Sequence, residues 1–502
     1  MRAAAIRSLV IAASAALVAV GVTAGQAAPR SATVFIDPGA GGFTSPNVHY
    51  VASIPTGAGV SARVVTVKGQ RRLYVSSAHS LTIYNITNPG LPIPMGVLPI
   101  YNWENEDIAV SKDGATAILT EFESQFYMHV VDTSNPNAPH LVGSLIGDGS
   151  HTVECADVHC NYLFASNGKT YDIRDHGGTP LTSRTPLALP KAQWWSTELG
   201  VGSAHALHQD AAGYWIADET PLVMFKEAPD PLHVTNVDVG APSLNTAYQH
   251  NNFRPAADEY VPRSDGSDNG DGQGDSSRHD NRDNAHRHSP VKNPYSASSA
   301  ASSSASSNST DLRPGELLMT ETETNFNPSC AGGTDGTGSF STWSMINWDK
   351  GVPMHQLHVL TPVHGDYVNG DPAINALGCS GHWFTVREDQ PGRYTGDYLV
   401  AAGWYEHGTR FLSVDAKTGA ISQVGYFQPV RGSTSAAYWI DKTNYVYVVD
   451  YQRGIDILKF DPTAAPPSAA ATRASWLAKL HTVDVFSQEE RYWCRQAMRQ
   501  TA

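Results

Sequence analysis

The chain has 502 residues and a net charge of −14, from 34 Lys and Arg against 48 Asp and Glu. That balance argues against nucleic acid or an anionic membrane as partner, because both demand a basic face. Lys, Glu and Leu are sparse while Gly, Pro, Tyr, Val, Thr and Asn are plentiful, so an all-β fold is expected.

Residues 1–27 read as a secretory signal peptide. Arg2 and Arg7 precede an apolar run from Leu9 to Val22, and Gly25, Gln26 and Ala27 place small residues before a cut after Ala27. The run is too short to span a bilayer, and no later stretch matches it without charge. The mature chain is therefore expected to be secreted, outside the cell or on the exterior of its envelope, with no transmembrane segment.

From about Val60 the chain becomes a series of similar units, each made of short strands separated by Gly, Pro, Asn or Asp turns. Units start near Ser61, Asn102, Ser150, Ser203, Ala247, Gly381 and Ser433. Seven repeats of ~40 residues, each with four strands, predict a seven-bladed β-propeller over residues 46–461.

The fifth unit is interrupted over 256–312 by Asp, Gly, Ser, Asn and His, ending in SASSAASSSASSNSTD. A segment of that composition has no apolar face to bury and is expected to be disordered. Beyond Pro466 and Pro467, the spacing of Trp476, Leu477, Leu480, Val483, Tyr492 and Trp493 predicts one or two short amphipathic helices, a clasp over residues 468–502. Five cysteines in an oxidising compartment leave one unpaired; Cys155 with Cys160 and Cys330 with Cys379 are the expected disulfides, and Cys494 is the odd one.

The phrases LTIYNITNPGLP, HVVDTSNPNAP, FLSVDAKTG and DYQRGIDIL resemble the LVIVD repeat of secreted bacterial proteins. The resemblance covers most of residues 46–461 and implies a propeller, but it implies little about activity.

The chemistry is carried by four histidines, each opening a repeat: His151 in SHTVECADVH, His205 in SAHALHQD, His250 in AYQHNNFRP and His382 in CSGHWFTV. Innermost strands line the channel of a propeller, so equivalent residues face one another around the axis. The second unit offers Glu104 and Glu106 at this place, and the seventh only Ser433 and Ser435. Converging imidazoles with a carboxylate suit a divalent transition metal such as iron, copper, zinc or manganese. Alternation along the strand turns His208 and Glu154 away from that ring. Glu321 and Glu323 in TETET fit either paired carboxylates or a solvated strand.

Three functions stand at this point. The first is a secreted scaffold binding a metal and a small molecule or extracellular protein at its channel. The second is a metal-dependent oxidoreductase or hydrolase using the histidine ring as active site, and the third a purely structural or adhesive surface protein. Carotenoid-cleaving oxygenases, propellers that hold iron with four axial histidines, resemble the second in architecture alone.

Overall fold

The computed structural model describes residues 42–54, 56–121, 127–174, 191–218, 222–237, 249–263, 311–323, 338–362, 379–387, 397–429 and 432–464. These form seven antiparallel sheets, as the seven repeats predict. In chain order the innermost strands of the blades are Gly59–Val67, Ala109–Val110, Val153–Cys155, Leu207–Gln209, Gln249–Phe253, Phe384–Arg387 and Thr434–Trp439.

Both faces of a blade lie against neighbours, so its strands are apolar on both sides. All six residues of Thr116–Glu121 are buried. Between the first two blades, Tyr74, Leu81 and Ile83 pack against Ile108, Ala117, Leu119 and Val131. The recurring Asp or Asn of the repeat has a local cause: at the end of the third strand, Asn85, Asp132, Asp172 and Asp415 each accept a hydrogen bond from the backbone N–H two residues on. This turns the chain toward the outer strand.

The ring is closed by the N-terminal segment. Val48–Ile54 pairs with Gly454–Phe460 as the outer strand of the seventh blade, and Gly42–Thr44 pairs with Ile421–Pro429 as a fifth strand of the sixth.

The insertion expected over 256–312 is described at its two ends. Ala257–Glu259 forms a 3₁₀ turn, Arg263 pairs with Glu316 at 2.6 Å, and Leu312 is buried with its N–H on the Lys417 carbonyl. These ends are packed, so the ordered structure reaches inside the expected limits on both sides. Cys155 and Cys160 form a disulfide. Cys379 is also disulfide-bonded, while its expected partner Cys330 lies outside the described residues, as do Cys494, the signal at 1–27 and the clasp at 468–502.

Candidate metal centre

Five consecutive blades each deliver one donor to the axis: Glu106, His151, His205, His250 and His382. Four of them reach it from the loop just before an innermost strand. His250 instead sits within its strand, at a register shift between Gln249 and Asn251. A bulge of this kind re-aims a side chain, here into the channel. Consecutive imidazole centroids lie 5.0 Å (His151 to His205), 4.0 Å (His205 to His250) and 4.1 Å (His250 to His382) apart.

Hydrogen bonds between blades fix these positions. The Glu106 N–H donates to the His151 carbonyl, and Thr152 Oγ1 donates to the His205 carbonyl. His382 Nδ1 lies 2.8 Å from the Ser435 carbonyl of the seventh blade. A carbonyl only accepts, so Nδ1 carries the proton and Nε2 keeps its lone pair for the axis.

Glu106 reaches across to meet the histidines. Its carboxylate lies 3.1 Å from His205 Nε2, 3.3 Å from His250 Nε2 and 3.4 Å from His382 Nε2. Despite this proximity, Glu106 Oε2 and the Nε2 atoms of His250 and His382 are buried without a regularly angled hydrogen bond. Donor atoms group as Glu106 with His250 and His382, and as Glu106 with His151 and His205, each set within 4.8 Å. An ion with bonds of ~2.1 Å brings its donors to within ~4.2 Å of one another, so within either set of three a contraction of a few tenths of an ångström suffices.

Electrostatics are set by the same crowding. Burial would push the Glu106 carboxyl up, but the electrostatic influence of His382 and the close approach of the His205, His250 and His382 imidazoles hold it well below the usual carboxylate range. Burial lowers His151 to about 4, and burial with the charges of His205 and His382 drives His250 well down. Burial also opposes the charged form of His205, yet Glu106 raises it.

The signs for acid stability follow. His151 and His250 stay neutral in the folded state while their unfolded counterparts take up protons below ~6.5, so stability is lost as pH falls. Glu106 adds a loss at still lower pH, as it falls through its depressed folded value. His205 acts oppositely, stabilising below the unfolded value. The urea midpoint of metal-free protein is expected to fall between about pH 7 and pH 5, with His151 accounting for about 2 kcal/mol. A midpoint that held or rose on acidification would contradict these signs.

Glu104 is buried at φ 62° but lies outside both donor groups; Glu106 is the second blade's contribution. Glu154 and His208 stand off the ring, as strand alternation predicts, but they do more than pack blades. With Asp107 they form a second cluster around Arg63, whose guanidinium bridges Asp107 at 3.3 Å and Glu154. Trp383 separates the two clusters, its ring edge-on to both His250 and His208.

Sequence reasoning left Glu321 and Glu323 of TETET between paired carboxylates and a solvated strand, and both are buried; it missed Tyr405 and Tyr451, which complete a tier formed by hairpins between second and third strands. Tyr405 donates its O–H to Glu323 Oε1 at 2.6 Å. Burial raises the Glu323 carboxyl and holds the Tyr405 phenol well above its ordinary range. The Tyr405 ring is 4.6 Å from that of His382, and Tyr451 lies 6.0 Å from it. Their one sequence signal is position, since both stand within two residues of the end of a buried strand, where an exposed turn is the usual occupant.

Gly403 serves this site through its missing side chain. A Cβ there would stand 2.7 Å from the Ser435 carbonyl that orients His382. Gly403→Ala is expected to cost about 1–3 kcal/mol of stability and to weaken whatever His382 binds, measurable by thermal unfolding and metal titration. Wild-type behaviour in both would remove Ser435 from the account.

Seven antiparallel blades around an axial histidine cluster define the class: a seven-bladed β-propeller with a donor set at its channel. No family model matches the chain, and no curated protein does. Among solved structures it is similar to the β-propeller domain of Cps50 (Swd1) from Myceliophteria thermophila, with a TM-score of 0.47 and 10% identity over 81% of this chain and 98% of that one. No helix among the described residues is long and apolar enough to cross a membrane.

Proposed function

We propose that the protein is an exported propeller that holds one divalent transition metal on its axis, through His151, His205, His250 and His382 with Glu106. The observation that carries this reading is the convergence of four imidazoles from four consecutive blades onto the Glu106 carboxylate, in two overlapping groups that share it, with Glu106 Oε2 and two Nε2 atoms buried and lacking regular hydrogen bonds. Buried polar groups left in that state are costly, and an ion shared between them removes the cost. The proton on His382 Nδ1 favours the same end, because it leaves Nε2 as a ligand. The donor set is nitrogen and oxygen without thiolate, which suits iron, copper, zinc or manganese. Export through residues 1–27, kinship with LVIVD-repeat proteins and capture of a small molecule or extracellular protein at the channel belong to this reading. Elemental analysis of native protein tests it: one equivalent of a transition metal is expected, and none after refolding with excess metal would refute it.

A metal-dependent oxidoreductase is the second reading. It is favoured by the buried phenol and carboxylate of Tyr405 and Glu323 beside His382, groups that a purely structural ion does not need. An ion bound by histidines would supply Lewis acidity or one-electron chemistry, and these residues would handle the accompanying proton.

A further inference from the structure

We propose that Tyr405, Tyr451 and Trp103 form a one-electron path between the axial metal ring and the protein surface, with Tyr405 as its redox-active first member. The inference rests on the reading that the ring holds a transition ion, here taken as iron.

Tyr405 has φ 37°. A bulky aromatic residue in the left-handed region is uncommon and strained, at about 1–3 kcal/mol, and such strain collects at functional sites. The conformation is fixed by the backbone: the Tyr405 carbonyl accepts hydrogen bonds from Gly408 at 2.9 Å and Thr434 at 2.8 Å. It places the ring 4.6 Å from His382 while the O–H points to Glu323 Oε1, 2.6 Å away. Packing alone does not account for this pair. Phenylalanine fills the same volume without burying a phenol and a carboxylate together, which is expensive.

The rings continue outward. Tyr451 stacks on Tyr405 with centroids 6.1 Å apart and planes inclined by 15°, and Trp103 follows at 5.9 Å from Tyr451. Tyr405 is buried, whereas Tyr451 and Trp103 are partly exposed, so the series runs from the ring to solvent. A phenol gives up an electron readily when its proton has an acceptor within hydrogen-bond reach, and Glu323 is that acceptor.

With a peroxide as oxidant the step balances. Cleaving the O–O bond of hydrogen peroxide to two waters consumes two electrons and two protons from solvent. A ferrous ion held by His151, His205, His250, His382 and Glu106 would supply one of these electrons; Tyr405 supplies the other, its O–H bond breaking to leave a neutral phenoxyl radical while the proton passes to Glu323. An electron relayed from Trp103 through Tyr451 then refills Tyr405 and the proton returns from Glu323; two equivalents of a small one-electron reductant such as ascorbate replace the two electrons consumed.

The test uses full-length protein loaded with ferrous iron without oxygen, mixed with one equivalent of hydrogen peroxide and frozen rapidly for electron paramagnetic resonance. A phenoxyl signal that narrows when ring-deuterated tyrosine is incorporated is expected. Tyr405→Phe should lower its yield at least about tenfold at unchanged iron content and melting temperature. Tyr451→Phe and Trp103→Phe should leave the initial yield intact and slow the decay of the radical under ascorbate several-fold. An equal yield in Tyr405→Phe overturns the assignment of Tyr405, and wild-type decay in both outer variants overturns the path. Where Tyr405→Phe loses iron or melts early, Glu323→Gln decides: a wild-type radical yield there overturns the coupled proton step. Failure of wild-type protein to hold any iron would instead strike at the metal reading itself.

Discussion

Replacing His205 by Ala is expected to abolish metal binding or weaken it at least about a hundredfold, since even outer partners of metal ligands cost 10–100-fold when removed. His205 is the donor whose Nε2 lies nearest Glu106 among the three whose distances define the ring, and its own ring touches those of His151 and His250. Losing it opens the ring at its middle. Isothermal titration would read the affinity directly, and thermal unfolding would read it by linkage. A ligand at a hundred times its dissociation constant stabilises the folded state by ~2.7 kcal/mol, so a chelator should lower the melting temperature of the wild type and leave that of His205→Ala unmoved. His208→Ala is the control. It lies three residues away, beyond Trp383 and beside Glu154, and should keep the ion. Equal loss in both variants would mean that blade disruption, and not ligand removal, explains the effect. Because neutral imidazole is the ligand, protonation of His205, which Glu106 raises above the ordinary ~6.5, should lower occupancy first as pH falls, while His151 and His250, held low by burial, take up protons only in stronger acid.

Removing the chain through residue 54 is expected to cost most of the stability of the propeller. Val48, Ala52 and Ile54 are all buried, and Val48 packs with Leu458 and Phe460 in the core between the sixth and seventh blades. Three such side chains contribute about 5 kcal/mol, a large share of the ~5–15 kcal/mol that keeps a typical domain folded. The truncation also leaves Gly454–Phe460 as an open edge, with unpaired N–H and C=O groups that invite pairing between molecules. Chemical denaturation and light scattering should show a lowered or absent transition together with association. Should truncation instead leave the transition where it was, the closure by Val48–Ile54 would contribute nothing. A milder probe is Ala52→Asp, which buries a charge without a partner in the same strand and should lower the midpoint without shortening the chain.

Much of this arrangement was legible in the sequence because a propeller repeats itself. One blade cannot bury its faces alone, so every copy must restate the strand spacing and the turn residues, and seven copies let the blades be counted. The same logic made the histidines readable. His151, His205 and His382 each precede an innermost strand by a few residues, and repetition in sequence becomes rotation about an axis. His250 reached the ring by another route, since the bulge between Gln249 and Asn251 depends on pairing with Leu317–Thr322 across the insertion.

What the sequence determined by itself was periodic: an all-β chain, seven blades, the register of most donors and the separation of His205 from His208 by strand alternation. Tertiary structure alone decided the rest. It chose Glu106 over Glu104, because the loop before the second blade places Glu104 at positive φ and outside the donor groups while Glu106 is tied to the His151 carbonyl. It seated Arg63 among Asp107 and Glu154, and it brought Glu323, Tyr405 and Tyr451 over His382. These groups come from different blades, and nothing in their local sequence marks them as neighbours. Their meeting depends on how far each hairpin reaches toward the axis once the ring has closed, a distance set by packing between blades and not by the pattern of any one repeat.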